Sequence, residues 1–269
     1  MLDTKPFLVI PGIAANLHSR DPRSRQGFDG NKTKGKAALR SFNARLAELQ
    51  TRLWAESERK LLVVLQAMDT GGKDGTIRHV FRGVNPQGVR VWGFGAPSER
   101  ELGHDYLWRV HRRAPRNGEI TIFNRSHYED VLVVRVKGLV PEEKWRKRFE
   151  HIVEFERLLV DEGTTMVKLF LHISKEEQRE RLQARLSEQD KRWKFNAADL
   201  DDRKLWDDYM AAYEEALTLT STEHAPWHVV PADRKWYRNL VVSSILIQAL
   251  EKMDPRYPPE PYLDGVVIE

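Results

Sequence analysis

Residues 61–76, LLVVLQAMDTGGKDGT, carry an apolar run straight into a Gly-Gly-Lys turn, and no other stretch of this 269-residue chain narrows the fold so far. Leu61 to Leu65 suffice for one buried strand. Gly71 and Gly72 let the backbone leave it in a tight turn, and the residues after Lys73 take up helical spacing. A strand, a glycine turn and a helix in that order point successive backbone N–H groups at one spot, on the positive end of the helix. An anion fits there, and Lys73 supplies a point charge.

The usual phosphate loop reads G-x-x-x-x-G-K-[ST]. Here Ala67 stands where the first Gly belongs, and Asp74 stands where the magnesium-binding hydroxyl belongs. The spacing still predicts a phosphate cradle from Gly71, Gly72, Lys73, Asp74, Gly75 and Thr76. Asp69 and Asp74 place two carboxylates beside bound phosphates, which is repulsive unless a divalent cation lies between them. The loop therefore implies metal. A helix start capped by Asp69 or Thr70 would explain the acids, but not Gly-Gly-Lys directly behind an apolar strand.

Further strand-like runs follow at 89–95, 119–124, 166–173 and 227–231, and helical spacing covers 36–58, 74–83, 98–112, 126–136, 141–162, 174–188, 203–219 and 233–252. This alternation predicts an α/β fold: a five-stranded parallel sheet with helices on both faces and ligands at the strands' carboxyl ends. The expected organisation is an N-terminal arm and leading helix over 1–58, a core over 59–255 with a lid at about 178–203, and a Pro-rich arm over 256–269. No run approaches the roughly 18 apolar residues of a bilayer span, and residues 1–25 lack a basic-then-apolar secretory pattern. Cysteine is absent, which excludes disulfides and thiolate ligands. A soluble cytoplasmic chain is expected, with no membrane partner. The net charge of +4 is too small to read as a nucleic-acid footprint, so the clusters of cations matter more than their sum.

The strand at 119–124 delivers Asn124 and Arg125 to the sheet's carboxyl end. The planar fork of Arg125 suits phosphate, whereas Asn124 can bond a metal-bound water but brings no charge. Farther on, the charged helix at 174–188 and the segment after it carry Arg181, Arg185, Lys191 and Arg192. They read as a mobile lid closing over phosphate and nucleotide. Pairing at i, i+4, as for Glu177 with Arg181, is the competing reading of such charge. His127, at a helix start, reads as structural.

Three blocks in this order, QAMDTGGKDGTIRHVFRGVNPQGV, FNRSHYEDVLVVRV, and LHISKEEQRERLQAR followed by KRWKF, make the chain resemble the polyphosphate kinase 2 family across residues 35–255. The resemblance implies a thymidylate-kinase-like P-loop kinase fold with a helical lid. It also implies an enzyme that moves the terminal phosphoryl group of inorganic polyphosphate to nucleotides, reversibly, with Mg2+ or Mn2+. The family's loop aspartate falls on Asp69, its loop lysine on Lys73, its second-motif arginine on Arg125 and its lid arginine on Arg185. Asn124 departs from the Asp of many members. Glu129, where many carry a neutral amide, is similar to the subgroup acting on both nucleoside mono- and diphosphates.

The implied acceptors are AMP and ADP, giving ATP. Asp69 and Glu129 would hold the metal, Arg181 and Arg185 would close from the lid, and polyphosphate would lie along Arg78, Arg82, Arg112, Arg113 and Arg125. A homodimer or homotetramer is expected from the tail and the leading helix. An ATP-dependent nucleoside monophosphate kinase would share fold, loop and lid. A non-enzymatic polyanion binder would use the same arginines but gain nothing from Asp69 and Asp74.

Overall fold

Every residue from Leu61 to Gln66 is buried, which requires a strand covered on both faces. In the computed structural model, which describes residues 1–260 and 268, this strand is the centre of one parallel sheet. The strands are β1 (Lys60–Gln66), β2 (Val89–Gly93), β3 (Ile120–Asn124), β4 (Thr164–His172) and β5 (Trp227–Pro231), in the order β2-β3-β1-β4-β5. Register sets Leu65 beside Asn124 and Gln66 beside Phe170. The segments leaving β1, β3 and β4 therefore emerge side by side. β2 lies at an edge and is largely exposed.

The helices are α1 (Lys32–Glu56), α2 (Lys73–Val80), α3 (Glu99–Leu102), α4 (Trp108–His111), α5 (Val133–Val136), α6 (Glu142–Asp161), α7 (Lys175–Ser187), α8 (Ala198–Lys204), α9 (Trp206–Thr220) and α10 (Lys235–Met253). α10 is apolar around most of its circumference, and such a helix is stable only when enclosed. It lies between α1 and the β4–β5 part of the sheet, with α2 beside it. α6 covers β4 from the opposite face and packs on α9 and α5. Leu240, Val241, Leu246 and Leu250 of α10 are fully buried, each contributing about 1.5–3 kcal/mol.

Three expected elements differ. The helix over 98–112 is two single turns, α3 and α4, because Gly103 ends the first and Asp105 Oδ1 accepts from the N–H groups of Leu107 and Trp108 to start another. The helix over 126–136 is a 3-10 turn, His127–Asp130, capped by the Ser126 side chain and followed by α5. The helix over 203–219 is divided at Leu205 between α8 and α9. The N-terminal arm runs beside β5: Val9 N–H donates to the Trp227 carbonyl at 2.8 Å, and Phe7, Val9 and Leu17 are buried. Residues 261–267 and 269 of the C-terminal arm lie outside the described residues, so that part of the oligomer argument has no structural counterpart here. Among the described residues no helix is long and apolar enough to cross a membrane.

Candidate active site

The loop after β1 folds tightly: the Gly71 N–H donates to the Met68 carbonyl at 2.9 Å, and Thr70 (φ 63°) and Gly72 (φ 98°) take left-handed conformations. Glycine is required twice. A Cβ on Gly71 would lie 2.5 Å from the Ala67 Cβ, and one on Gly72 would lie 2.0 Å from Arg238 Nη1. Gly72 is also the N-cap of α2, with no side chain capping it. Neither Asp69 nor Thr70 plays that part.

Donors from two helices bind three successive loop carbonyls. Gln178 Nε2 donates to Asp69 O at 3.2 Å, Arg181 Nη1 to Thr70 O at 3.0 Å, and Arg238 Nη1 to Gly71 O at 3.5 Å. An anion meeting the loop is thereby spared three carbonyl dipoles and faces the amides. The Lys73 ammonium donates to the Ala67 carbonyl at 2.9 Å. Burial and the neighbouring Arg125 lower its pKa, against the pull of Asp69, Glu129 and Asp74.

β3 brings the second component. Arg125 leaves that strand with φ 63°, a conformation that costs a non-glycine residue about 1–3 kcal/mol and marks functional turns. Its Nη2 sits 2.8 Å from Asp69 Oδ1 and its Nη1 3.8 Å from Glu129 Oε2, so one guanidinium joins the two carboxylates. Burial pushes the Glu129 carboxyl up, and Arg125 and Lys73 only partly offset this. Asn124 Nδ2 donates to Asp74 Oδ1 at 2.8 Å. The two residues that depart from the expected pattern therefore touch, and an aspartate at 124 could make that contact only when protonated.

Two arginines of α7 have different fates. Arg181 is buried, paired with Glu177 at 2.7 Å, and also donates to the Ala232 carbonyl at 2.6 Å. It is a clamp under the loop rather than a closing lid group, because α7 starts directly behind β4 and its first turns are packed. Arg185, one turn farther, donates to Asp199 Oδ2 at 2.8 Å and to the Lys194 carbonyl at 3.1 Å. Burial, with Asp69 nearby, raises the Asp199 pKa.

A cleft of about 1500 Å³ runs from α7 and the segment after it across Gly71, Gly72, Lys73, Asp74 and Gly75 to the start of α1. Arg78, Arg125, Arg181, Arg185 and Lys191 line it; Thr76, Arg82, Arg112, Arg113 and Arg192 do not. The Thr76 hydroxyl is turned to the Gly72 carbonyl at 3.0 Å. Arg112 lies 4.6 Å from the Trp108 ring centre and Arg113 3.7 Å from that of Trp92, on the β2 side. Arg192 Nε donates to the Leu186 carbonyl at 3.0 Å. Lys32, Lys36, Arg234 and Lys235 line the cleft as well. His79 registers that field: burial and then Arg78, Arg238, Arg82 and Lys36 all lower its pKa.

Sequence reasoning missed Arg238, Lys36 and Lys235. Arg238 was legible as a charge opening an apolar helix; it is 1% exposed, and burial, with Arg181 nearby, brings its pKa to about 9. Behind Arg125 a separate cavity of about 30 Å³ lies between Asp69, Glu129, Asp202, Tyr209 and Tyr213. Among the described residues no three His, Cys, Asp or Glu side chains are grouped to hold a metal ion. The oxygen donors of Asp69 and Glu129 nevertheless fit Mg2+, which uses one or two carboxylates and completes its shell with water and substrate phosphate.

A phosphate loop behind the central strand, an arginine at the end of the adjacent strand and a helical segment across the cleft define a P-loop kinase. Solved structures agree: polyphosphate kinase 2 from Arthrobacter aurescens TC1 superposes with a TM-score of 0.92 at 45% identity, covering 96% of this chain and 92% of that one. The chain belongs to the polyphosphate kinase 2 (PPK2) family, whose profile matches residues 29–258. An AMP/ADP-polyphosphate phosphotransferase of Meiothermus ruber is 59% identical over 98% of this chain and 100% of its own length. An ADP-polyphosphate phosphotransferase of Rhodopseudomonas palustris is 44% identical over 96% and 93%.

Proposed function

We infer that the protein transfers the terminal phosphoryl group of inorganic polyphosphate to AMP and ADP, reversibly, in the cytoplasm. The observation that carries this reading is the Asp69–Arg125 pair beside Gly71, Gly72 and Lys73 in a long cationic cleft, with Glu129 held against Arg125 in the cavity behind it. The similarity to a phosphotransferase named for both AMP and ADP supports the pair of acceptors.

Phosphoryl transfer needs positioning and charge stabilisation more than covalent chemistry. Polyphosphate lies along Lys36, Lys235 and Arg78, with its end on Lys73 and the loop N–H groups. Arg125 contacts the transferring group from the side, oriented by its two carboxylates. Asp69 and Glu129 would hold Mg2+ or Mn2+, which neutralises charge on donor and acceptor phosphates. Arg185 exchanges Asp199 for phosphate when the lid segment closes. Donor and product both contain phosphoanhydrides, so the same geometry serves both directions. A homodimer or homotetramer remains part of this proposal.

The test is donor choice. Incubated with Mg2+ and AMP or ADP, the protein is expected to form ATP from long-chain polyphosphate, and EDTA is expected to stop it. Phosphorylation of AMP by ATP alone, with polyphosphate inert, would instead identify a nucleoside monophosphate kinase. Salt-sensitive polyphosphate binding without product would identify a polyanion binder.

A further inference from the structure

Four ionisable side chains that touch neither cleft nor loop lie beneath the turn carrying Arg125 and Glu129. Lys168 on β4, Glu156 on α6, and His127 and Tyr128 within the turn are fully buried. The Lys168 ammonium donates to Glu156 Oε2 at 2.6 Å, to the Tyr128 hydroxyl oxygen at 3.0 Å and to the Thr220 carbonyl of α9 at 2.7 Å. Glu156 Oε1 accepts from the Tyr128 hydroxyl at 2.8 Å and lies 3.2 Å from His127 Nε2. Burial pushes the Glu156 carboxyl up, while Lys168 and His127 bring it below its ordinary value; burial lowers the Lys168 pKa against the pull of Glu156.

Such a pair is weak as a source of stability. Desolvating both ions costs about as much as their attraction returns, and apolar residues of similar volume often do as well or better. What the network supplies is position. Residues 127 and 128 stand between Arg125 and Glu129 in the chain, and the network ties them to α6, β4 and α9 at once. From the other side Gln66 Nε2 donates to Ser126 Oγ at 3.1 Å. The left-handed Arg125 backbone persists only if its surroundings hold it.

We propose that Lys168, Glu156 and Tyr128 are positioning residues that hold Arg125 and Glu129 in register with Asp69 for phosphoryl transfer. The proposal rests on the function inferred above. The Glu156→Leu/Lys168→Met double variant removes both charges together. It is expected to fold, with kcat lowered about 10- to 100-fold, since small misplacements of oriented groups carry losses of that size. KM for polyphosphate should change less than kcat, because Lys36, Lys235, Arg78, Lys73 and the loop N–H groups still hold the donor chain. Deuterium uptake over residues 125–132 should accelerate while that of β1 does not.

Wild-type kcat with unchanged exchange in the double variant overturns the proposal. Should the double variant not fold, Tyr128→Phe keeps the ion pair and deletes only the hydroxyl. Lower kcat at an unchanged melting temperature then supports positioning, and wild-type kcat refutes it. Exchange over 125–132 needs no turnover, so an inactive wild-type protein would remove the inferred function while leaving this test intact.

Discussion

Glu129 occupies a place where charge is costly. Burial raises its carboxyl from the ordinary 4.5 despite Arg125 and Lys73, so the folded chain holds that proton more tightly than the unfolded one. Stability therefore falls as pH rises above 4.5, because the folded state then carries the excess proton. Glu129→Gln lacks this cost: its melting temperature is predicted to exceed wild type at about pH 8 and to converge on it near pH 4.5, while its transferase activity drops. Scanning fluorimetry across that range checks the sign. Gly72 supplies a second residue-scale prediction. Gly72→Ala suffers both a left-handed backbone, about 1–3 kcal/mol, and the Arg238 clash, whereas Gly83→Ala at φ 92° meets nothing within 4 Å. Denaturant titration should find Gly72→Ala the more destabilised; equality would mean that Arg238 is not packed under the loop. The sequence showed that glycine was needed here, but not that a buried arginine from residue 238 was the reason.

At the scale of elements, apolar runs and helical spacing located all five strands and most helices, since burial on two faces or one stripe leaves a direct imprint on residue order. What did not imprint was the breaking of 98–112 and 126–136. Asp105 and Ser126 each restart the chain by a local side-chain bond, and such bonds compete with helix in ways that spacing alone does not display. α7 is the sharper case. Arg181 and Arg185 lie on the same helix face four residues apart and both line the cleft, yet one is a buried clamp and the other is half-buried against Asp199. Arg181→Met is expected to lower stability by about 1–3 kcal/mol through unpaired buried carbonyls, whereas Arg185→Ala should lower kcat at unchanged melting temperature. Melting curves and steady-state rates on both variants decide between these roles, and the reverse pattern would exchange them.

For the molecule as a whole, the sheet order β2-β3-β1-β4-β5 places the loop, Arg125 and α7 side by side at the carboxyl ends of the three central strands. That assembly was legible because three sequence blocks each ended a strand. The cation track was not, since which arginine faces the cleft depends on packing at distant positions: Trp92 and Trp108 draw Arg113 and Arg112 aside, while α1 and α10 contribute Lys36 and Lys235. The paired Lys36→Ala/Lys235→Ala variant should raise KM for polyphosphate and flatten its salt dependence. Arg112→Ala/Arg113→Ala should leave both unchanged, and an effect confined to the latter pair would return the track to the β2 side.

The account turns on Asp69 and Arg125 working together at the loop. Its most direct test is the rate of ATP formation from ADP and polyphosphate by wild type and by Asp69→Asn, at matched melting temperature. Loss of at least about 100-fold in kcat is predicted, on the scale of removing a preorganised charge from a transfer site. An equally stable Asp69→Asn protein that forms ATP at the wild-type rate would contradict it.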